Sequence, residues 1–262
     1  MKKLVLLCMA LLLCACAKQP TTPGTPGSEG GEVSGRLWQA YAKAGAGAKA
    51  PYRLQLSLRF GEEGNTRRVT ALLWGNGGRE LRLDVMAGVG TVVAKILEDG
   101  EHFLVYAPLE NKAYFHQGAT SPLLRVGVPV PFGLARLTAL LTGHYAGAFG
   151  EAYSEASMLA DGMARYALEG KPGGLLTLDA QGLPVAWRES KGDGWRMEIV
   201  YDEATPPLPR RLSLTHAKGQ RAILLVKERE MPDAPFTGDQ MRLTLPEGAP
   251  LLPLSQYRAP KS

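Results

Sequence analysis

The run Arg53-Leu54-Gln55-Leu56-Ser57-Leu58-Arg59-Phe60 alternates apolar and polar side chains without a fault. In an extended chain successive side chains point to opposite faces, so Leu54, Leu56, Leu58 and Phe60 share one side and Arg53, Gln55, Ser57 and Arg59 the other. That is a strand with one buried face. Similar runs follow at short intervals over residues 68–74, 80–86, 91–97, 102–107 and 112–116, and again over 163–168, 175–179, 185–190, 195–201, 211–216 and 221–227. Turn signals separate them: Gly61 to Asn65, Asn76-Gly77-Gly78, Gly88 to Gly90, Asp99-Gly100, Glu110-Asn111, Gln181-Gly182 and Gly192-Asp193-Gly194. Regular spacing of this kind predicts an antiparallel meander of about 11 or 12 strands.

An open flat sheet of that width curls or splits, so the predicted architecture is mainly β: a strongly curved antiparallel sheet or incomplete β-barrel with its aliphatic face inward. Two segments break the period. Ser34 is placed to cap a short helix through Lys43, with Leu37, Trp38, Tyr41 and Ala44 on one face and glycines 45 and 47 ending it. Between the two meanders, Pro131 to Gly143 has proline in the first turn, glycine at the end and Leu134, Leu137 and Leu141 at helical spacing. This insertion, near residues 130–143, is predicted to plug or lid the curved sheet. The proline-rich stretch from Pro246 to Ser262 reads as an extended strap with a frayed end.

Composition narrows the function. Of 262 residues 45% are apolar, enough to offset the ordering entropy of a folded domain. The three cysteines are Cys8, Cys14 and Cys16, so no disulfide or thiolate metal cluster can form in the rest of the chain. Met1-Lys2-Lys3 followed by the apolar Leu4 to Leu13 has the shape of a secretory signal, too short for the roughly 20 residues of a membrane-spanning helix. Its removal leaves 28 basic against 25 acidic side chains, which argues against a nucleic-acid partner. Arg67-Arg68 and Arg210-Arg211 read as solvated strand positions.

The signal ends in Leu13-Cys14-Ala15-Cys16, which resembles the bacterial lipobox, with Cys14 where a smaller or hydroxylated residue is commoner. The resemblance implies a signal peptide over 1–15, a diacylglycerol thioether on Cys16 and acylation of its new amine. Residues 18–31, KQPTTPGTPGSEGG, are dense in Pro, Gly and Thr and read as a tether, giving 16–32 as anchor and leash and 33–262 as one domain. Acyl chains at about 0.8 kcal/mol per buried methylene hold such a protein on its bilayer. Ala17, not Asp, follows the anchor, which favours the periplasmic face of the outer membrane.

Residues arranged for catalysis or metal binding are few. His102, His116, His144 and His216 stand alone, and no nucleophile elbow or Walker loop is present. Gly88-Val89-Gly90 lacks a third glycine and precedes a strand where a dinucleotide site needs a helix, so it reads as a turn. Asp84, Asp161 and Asp179 are the acids considered for a glycosidase pair. No catalytic residue, metal or cofactor is predicted, and the chain is read as a non-enzyme.

An anchored chain with two meanders around an inserted helix resembles the LolA/LolB lipoprotein-localisation family. Leu81 to Gly90 followed by Val92 to Gly100 resembles that family's strand, apolar loop, strand and turn, and Asn111-Lys112-Ala113-Tyr114 resembles its next short strand. The likeness spans about residues 33–230. Because the receptor type alone is lipidated, the resemblance is to LolB, and it implies an apolar cavity for the acyl chains of lipoproteins or lipid. The lining expected here is Leu54, Leu56, Leu58, Val69, Leu81, Leu83 and Ile199, closed by Leu134, Leu137 and Leu141. It also implies a membrane-insertion loop with Met86 and Val89 at its tip. The partners implied are the outer-membrane bilayer, acylated lipoproteins and a soluble LolA-like carrier. Two other readings stand beside it: an assembly lipoprotein with a filled core that binds a protein partner, and an anchored periplasmic hydrolase.

Overall fold

In the computed structural model, residues 29–45, 50–78, 80–118, 130–190 and 194–257 are described. The alternating run quoted above is β1 (Tyr52–Glu62), with Leu54, Leu56 and Leu58 buried and Arg53, Gln55 and Arg59 exposed. Ser57 departs from the alternation. It is buried on the polar side, where Arg68 of the next strand covers it and donates from Nε to its Oγ at 3.1 Å.

From β1 the chain steps strand by strand through β2 (Asn65–Gly75), β3 (Leu81–Ala87), β4 (Thr91–Glu98), β5 (His102–Ala107) and β6 (Lys112–Gln117), each antiparallel to the last. Two helices follow, α2 (Leu134–Leu141) and α3 (Tyr145–Phe149), numbered after the N-terminal α1 (Glu29–Lys43). The second meander then runs β7 (Tyr153–Met158), β8 (Ala164–Leu168), β9 (Gly174–Leu178), β10 (Pro184–Arg188), β11 (Trp195–Tyr201), β12 (Pro209–His216) and β13 (Arg221–Glu230). β13 pairs antiparallel with β1, so the chain starts at the middle of the sheet, leaves by one edge and returns from the other. A short α4 (Gly238–Met241) precedes β14 (Leu251–Pro253), which joins β6 in parallel. The result among the described residues is one curved, mixed 14-stranded sheet, in the order β14-β6-β5-β4-β3-β2-β1-β13-β12-β11-β10-β9-β8-β7. Its two edges stay apart, and the barrel does not close.

Helices cover the inner face. α1 lies on the second meander, with Trp38 stacked at 4.7 Å from Tyr153 and 4.9 Å from Tyr166. Tyr166 donates its phenol to the Ser34 carbonyl at 2.7 Å, and Tyr41 donates to the Gly150 carbonyl at 2.7 Å. The helix backbone approaches the β9–β10 turn so closely that only glycine fits: a Cβ on Gly182 would stand 2.8 Å from the Leu37 carbonyl oxygen.

Ser34 is not the cap of α1. The helix begins five residues earlier, at Glu29, inside the stretch assigned to the tether, and the Ser34 hydroxyl bonds back to the Gly31 carbonyl at 3.1 Å. Once the apolar face from Val33 to Tyr41 is docked, each added N-terminal residue gains a helical bond, and two glycines do not cancel that gain. α2 falls inside the predicted insertion and ends at Gly143, whose φ of 84° suits glycine.

The outer face is treated unequally. After β13 the chain turns back over β2 to β6. The Asn76 side chain donates to the Phe236 carbonyl at 3.0 Å and accepts from its amide at 2.7 Å. Buried Arg82 donates to the Met241 and Arg242 carbonyls, pairs with Asp84 at 3.2 Å and stacks 5.0 Å over Trp74. Leu243 closes a small outer core with Tyr106 and Ala113. The strap foreseen from Pro246 thus starts in the 230s and passes through β14 into a 3-10 turn at Leu254–Gln256, and its last residues lie outside those described.

Candidate functional site

The inner face gathers all ten predicted lining residues into one cluster: Leu54, Leu56, Leu58, Leu81, Leu83, Ile199, Leu134, Leu137 and Leu141 are buried in it, and half-buried Val69 packs against it. α2 lies within this cluster, its Leu134, Leu137, Leu140 and Leu141 buried together with the sheet's leucines. The helix therefore supplies from within the chain the apolar surface that the curved sheet needs against its own.

Two cavities flank α2, both bordered by its Ala135. The first, about 400 Å³, is lined by Tyr52, Gly77, Leu81, Thr138, His144 and Met231 among others. The second, about 480 Å³, is bordered by Glu98, Phe132, Arg136, Lys171, Trp187 and Glu189. Each lies within the roughly 300–1,000 Å³ typical of small-molecule sites. Of the predicted residues only Leu81 borders either space. Tyr52 was legible, because it shares parity with Leu54, Leu56 and Leu58, and Thr138 shares the helical face of Leu134 and Leu141. Glu98 carried no signal: it takes the inward parity of Ala94 and Ile96 but is charged.

The polar groups follow from register. Tyr52, Gly75, Leu81, Glu98, Phe103 and His116 form one row across β1 to β6 on the inner face. The Tyr52 ring lies over Gly75, where a Cβ would meet its hydroxyl at 2.6 Å. Burial pushes the Tyr52 phenol well above its ordinary pKa and the Glu98 charge adds to that, while the facing Thr138 hydroxyl acts in the opposite direction. Tyr52 is thus a neutral hydrogen-bond donor at any physiological pH, and no arrangement here activates it as a nucleophile. The C-terminal end of α2 is held by Arg229 of β13, which donates to the Leu141 carbonyl and, at 2.8 Å, to the Pro209 carbonyl. One of the orphan carbonyls of the helix end is satisfied in this way.

The other sequence candidates separate. Asp84 pairs with Arg82 on the outer face, Asp179 accepts the Gln181 and Leu183 amides in a turn, and Asp161 sits in another turn with φ 60°. His102 pairs with Asp99 at 3.1 Å, and His216 accepts from the Lys218 amide. Among the described residues no group of three His, Cys, Asp or Glu is placed to hold a metal, and no helix is long and apolar enough to cross a membrane. Val89 is fully exposed in the β3–β4 turn, whereas Met86 is not at its tip: it lies within β3, half-buried and paired with Thr70 and Val92. Cys16 lies outside the described residues.

No protein-family model matches this chain, and no curated protein matches it in sequence. Solved structures do. A LolA superfamily protein from Nitrosomonas europaea, 12% identical, superposes with a TM-score of 0.52 over 78% of this chain and 97% of that one. A DUF1329 family protein from Desulfovibrio piger, 9% identical, gives 0.52 over 80% of this chain and 95% of that one. The wide curved sheet with its helical insertion is the LolA-like fold.

Proposed function

We propose that this chain is a membrane-anchored periplasmic lipoprotein, LolB-like, that binds acyl chains of lipoproteins or of lipid between α2 and the sheet and aids their insertion into the outer membrane. The supporting observation is the position of α2. It seats leucines in the hollow of a leucine-lined sheet between two cavities that share its Ala135. An acyl chain offers the same chemistry as those leucines, so displacement of α2 by cargo exchanges one apolar contact for another, and Arg229 holds the helix in place when no cargo is present. Tyr52 supplies a buried donor for an ester or amide carbonyl. No step of this function needs a catalytic group or a cofactor, and a soluble LolA-like carrier is the donor the reading requires.

The test uses residues 17–262, which contain every described element and no cysteine. The expected result is saturable binding of a fluorescent long-chain fatty acid and acceptance of a triacylated lipoprotein. Binding of neither overturns the proposal. Cys16→Ser is expected to release the mature protein from membranes; retention after signal cleavage refutes the anchor. A second reading, a filled core serving a protein partner, is favoured by one observation: nine of the ten lining residues are already buried. The same titration decides between them.

A further inference from the structure

The outer face of the second meander carries arginines in register. One cross-strand row reads Arg221, Thr215, Arg196, Arg188 across β13, β12, β11 and β10. The next reads Arg68, Arg59, Ile223, Ser213, Glu198 across β2, β1, β13, β12 and β11, and continues through Ala186 and Thr177 to Arg165 of β8. Arg211 follows in the row below, opposite Val200. All seven side chains are exposed. Against them the face sets Glu198, Glu155, Glu228 opposite Gln55, and Glu230, which is bridged to Arg53 at 2.6 Å; at its end stand Glu62 and Glu63, and Glu63 is bridged to Arg221 at 3.1 Å. Neither Arg59, Arg188, Arg196 nor Arg211 has an ion pair among the described residues.

Two of these contacts work against the fold. Arg59 stands directly opposite Arg68, and Arg188 directly opposite Arg196. Like charges at opposed positions destabilise a sheet, unless an anion lies between them. Every cation of the field is arginine, whose planar fork matches phosphate oxygens, and Ser213, Thr215 and Thr177 place hydroxyls between them. The strap that covers the outer face of β2 to β6 does not reach this region among the described residues.

The geometry points to a docking surface for anionic phospholipid headgroups, formed by Arg59, Arg68, Arg188, Arg196, Arg211 and Arg221. The inference rests on the membrane-anchored reading above. Three observations favour a bilayer over an acidic protein. The six arginines spread over six adjacent strands, about 24 Å at the usual strand spacing, with no groove between them. Lipids diffuse in their plane and bring phosphates to dispersed cations, whereas a protein's acids are fixed. The field also lies at the end of the sheet that bears exposed apolar tips: Ala87 pairs with Val69 and Val69 with Leu58, next to Arg59, so the turn carrying fully exposed Val89 opens at this end, as does the β5–β6 turn carrying Leu109, 70% exposed. Apolar tips enter the acyl boundary while arginines take the phosphates.

The experiment is flotation of residues 17–262, without the acyl anchor, on vesicles of phosphatidylglycerol and phosphatidylethanolamine against vesicles of phosphatidylcholine alone. Expected is binding to the anionic vesicles that weakens with salt, at about fivefold per arginine near the surface. The combined variant Arg59→Ser, Arg188→Ser, Arg196→Ser, Arg211→Ser lowers partitioning at least tenfold. The charge-matched variant Lys43→Ser, Lys95→Ser, Lys112→Ser, Arg242→Ser, whose cations lie away from this field, does not. Because two opposed arginine pairs are relieved, the arginine variant keeps or raises its Tm, so lost binding is not lost folding. Equal binding to both vesicle types, equal loss in the two variants, or tighter binding to polyglutamate than to anionic vesicles overturns the inference. Fatty-acid probe binding stays at the parent value in the arginine variant; its absence from the parent sinks the function proposed above and leaves this surface standing.

Discussion

The two halves of the sheet bury the same face and treat the other oppositely. Over β2 to β6 the outer face is covered by the chain's own strap, tied down by Asn76, Trp74 and a buried Arg82. Over β8 to β13 it is open and basic. Inside, the balance reverses: α1 and α3 dock on the second half through the phenols of Tyr41 and Tyr166. A long curved sheet needs both faces managed, but not by the same means. One half spends a strap on its outside, and the other keeps that side for solvent or a surface.

Arg82→Ala is the sharpest way to break the comparison. It strips two strap carbonyls of their donor and leaves Asp84 without its cation, with an expected loss of about 3 kcal/mol in urea unfolding. Hydrogen exchange is expected to rise in residues 236–257 and to stay unchanged in β8 to β12; equal opening of both halves refutes the division.

Alkaline pH is expected to act on both halves, because the Tyr52 phenol of the first is raised as well, and most heavily on the second, where four raised phenols gather. Burial pushes the Tyr145 phenol up to about 12, and raises Tyr41, Tyr166 and Tyr201 as well. The unfolded phenol ionises near pH 10, so between there and 12 the unfolded state binds fewer protons than the native one. The stabilisation is complete below pH 10 and falls as pH rises to 12, by about 1.4 kcal/mol per unit for Tyr145. Chemical denaturation at pH 9 and 11 checks it, and Tyr145→Phe is expected to flatten the slope.

A smaller effect is expected from Tyr166→Phe, which removes the bond to the Ser34 carbonyl and loosens α1 by about 1 kcal/mol, read as faster amide exchange over residues 33–41. Smallest in stability is Val89→Asp, within about 0.5 kcal/mol of the parent because the side chain touches solvent alone. It is nonetheless expected to reduce delivery of acylated cargo to vesicles, and unchanged delivery removes the tip from the proposed mechanism.

Legibility followed the period. Each of the twelve alternating runs is a strand, because one buried face writes itself as every second residue. β7 was missed: Tyr-Ser-Glu-Ala-Ser-Met lies at the sheet edge with neither face fully buried, so it carries no alternation. β14 is three residues long and exists through its pairing with β6. The site was legible as a cluster of leucines and illegible as a space, because Glu98 of β4, Trp187 of β10 and Lys171 of the β8–β9 turn border one cavity across the hollow of the curved sheet, from strands that do not pair and that no local pattern relates.

By itself the sequence determined which residues turn inward along each strand, where the turns fall and that a helix interrupts the two meanders, since these depend on side chains within a few residues of one another. The tertiary structure alone decided that β1 meets β13, that the tail returns to cover one half, and that Arg59 and Arg221, far apart in the chain, become diagonal neighbours. Those outcomes rest on pairing between strands distant in the chain, and hydrogen bonds between backbones carry no record of partner choice in the local sequence.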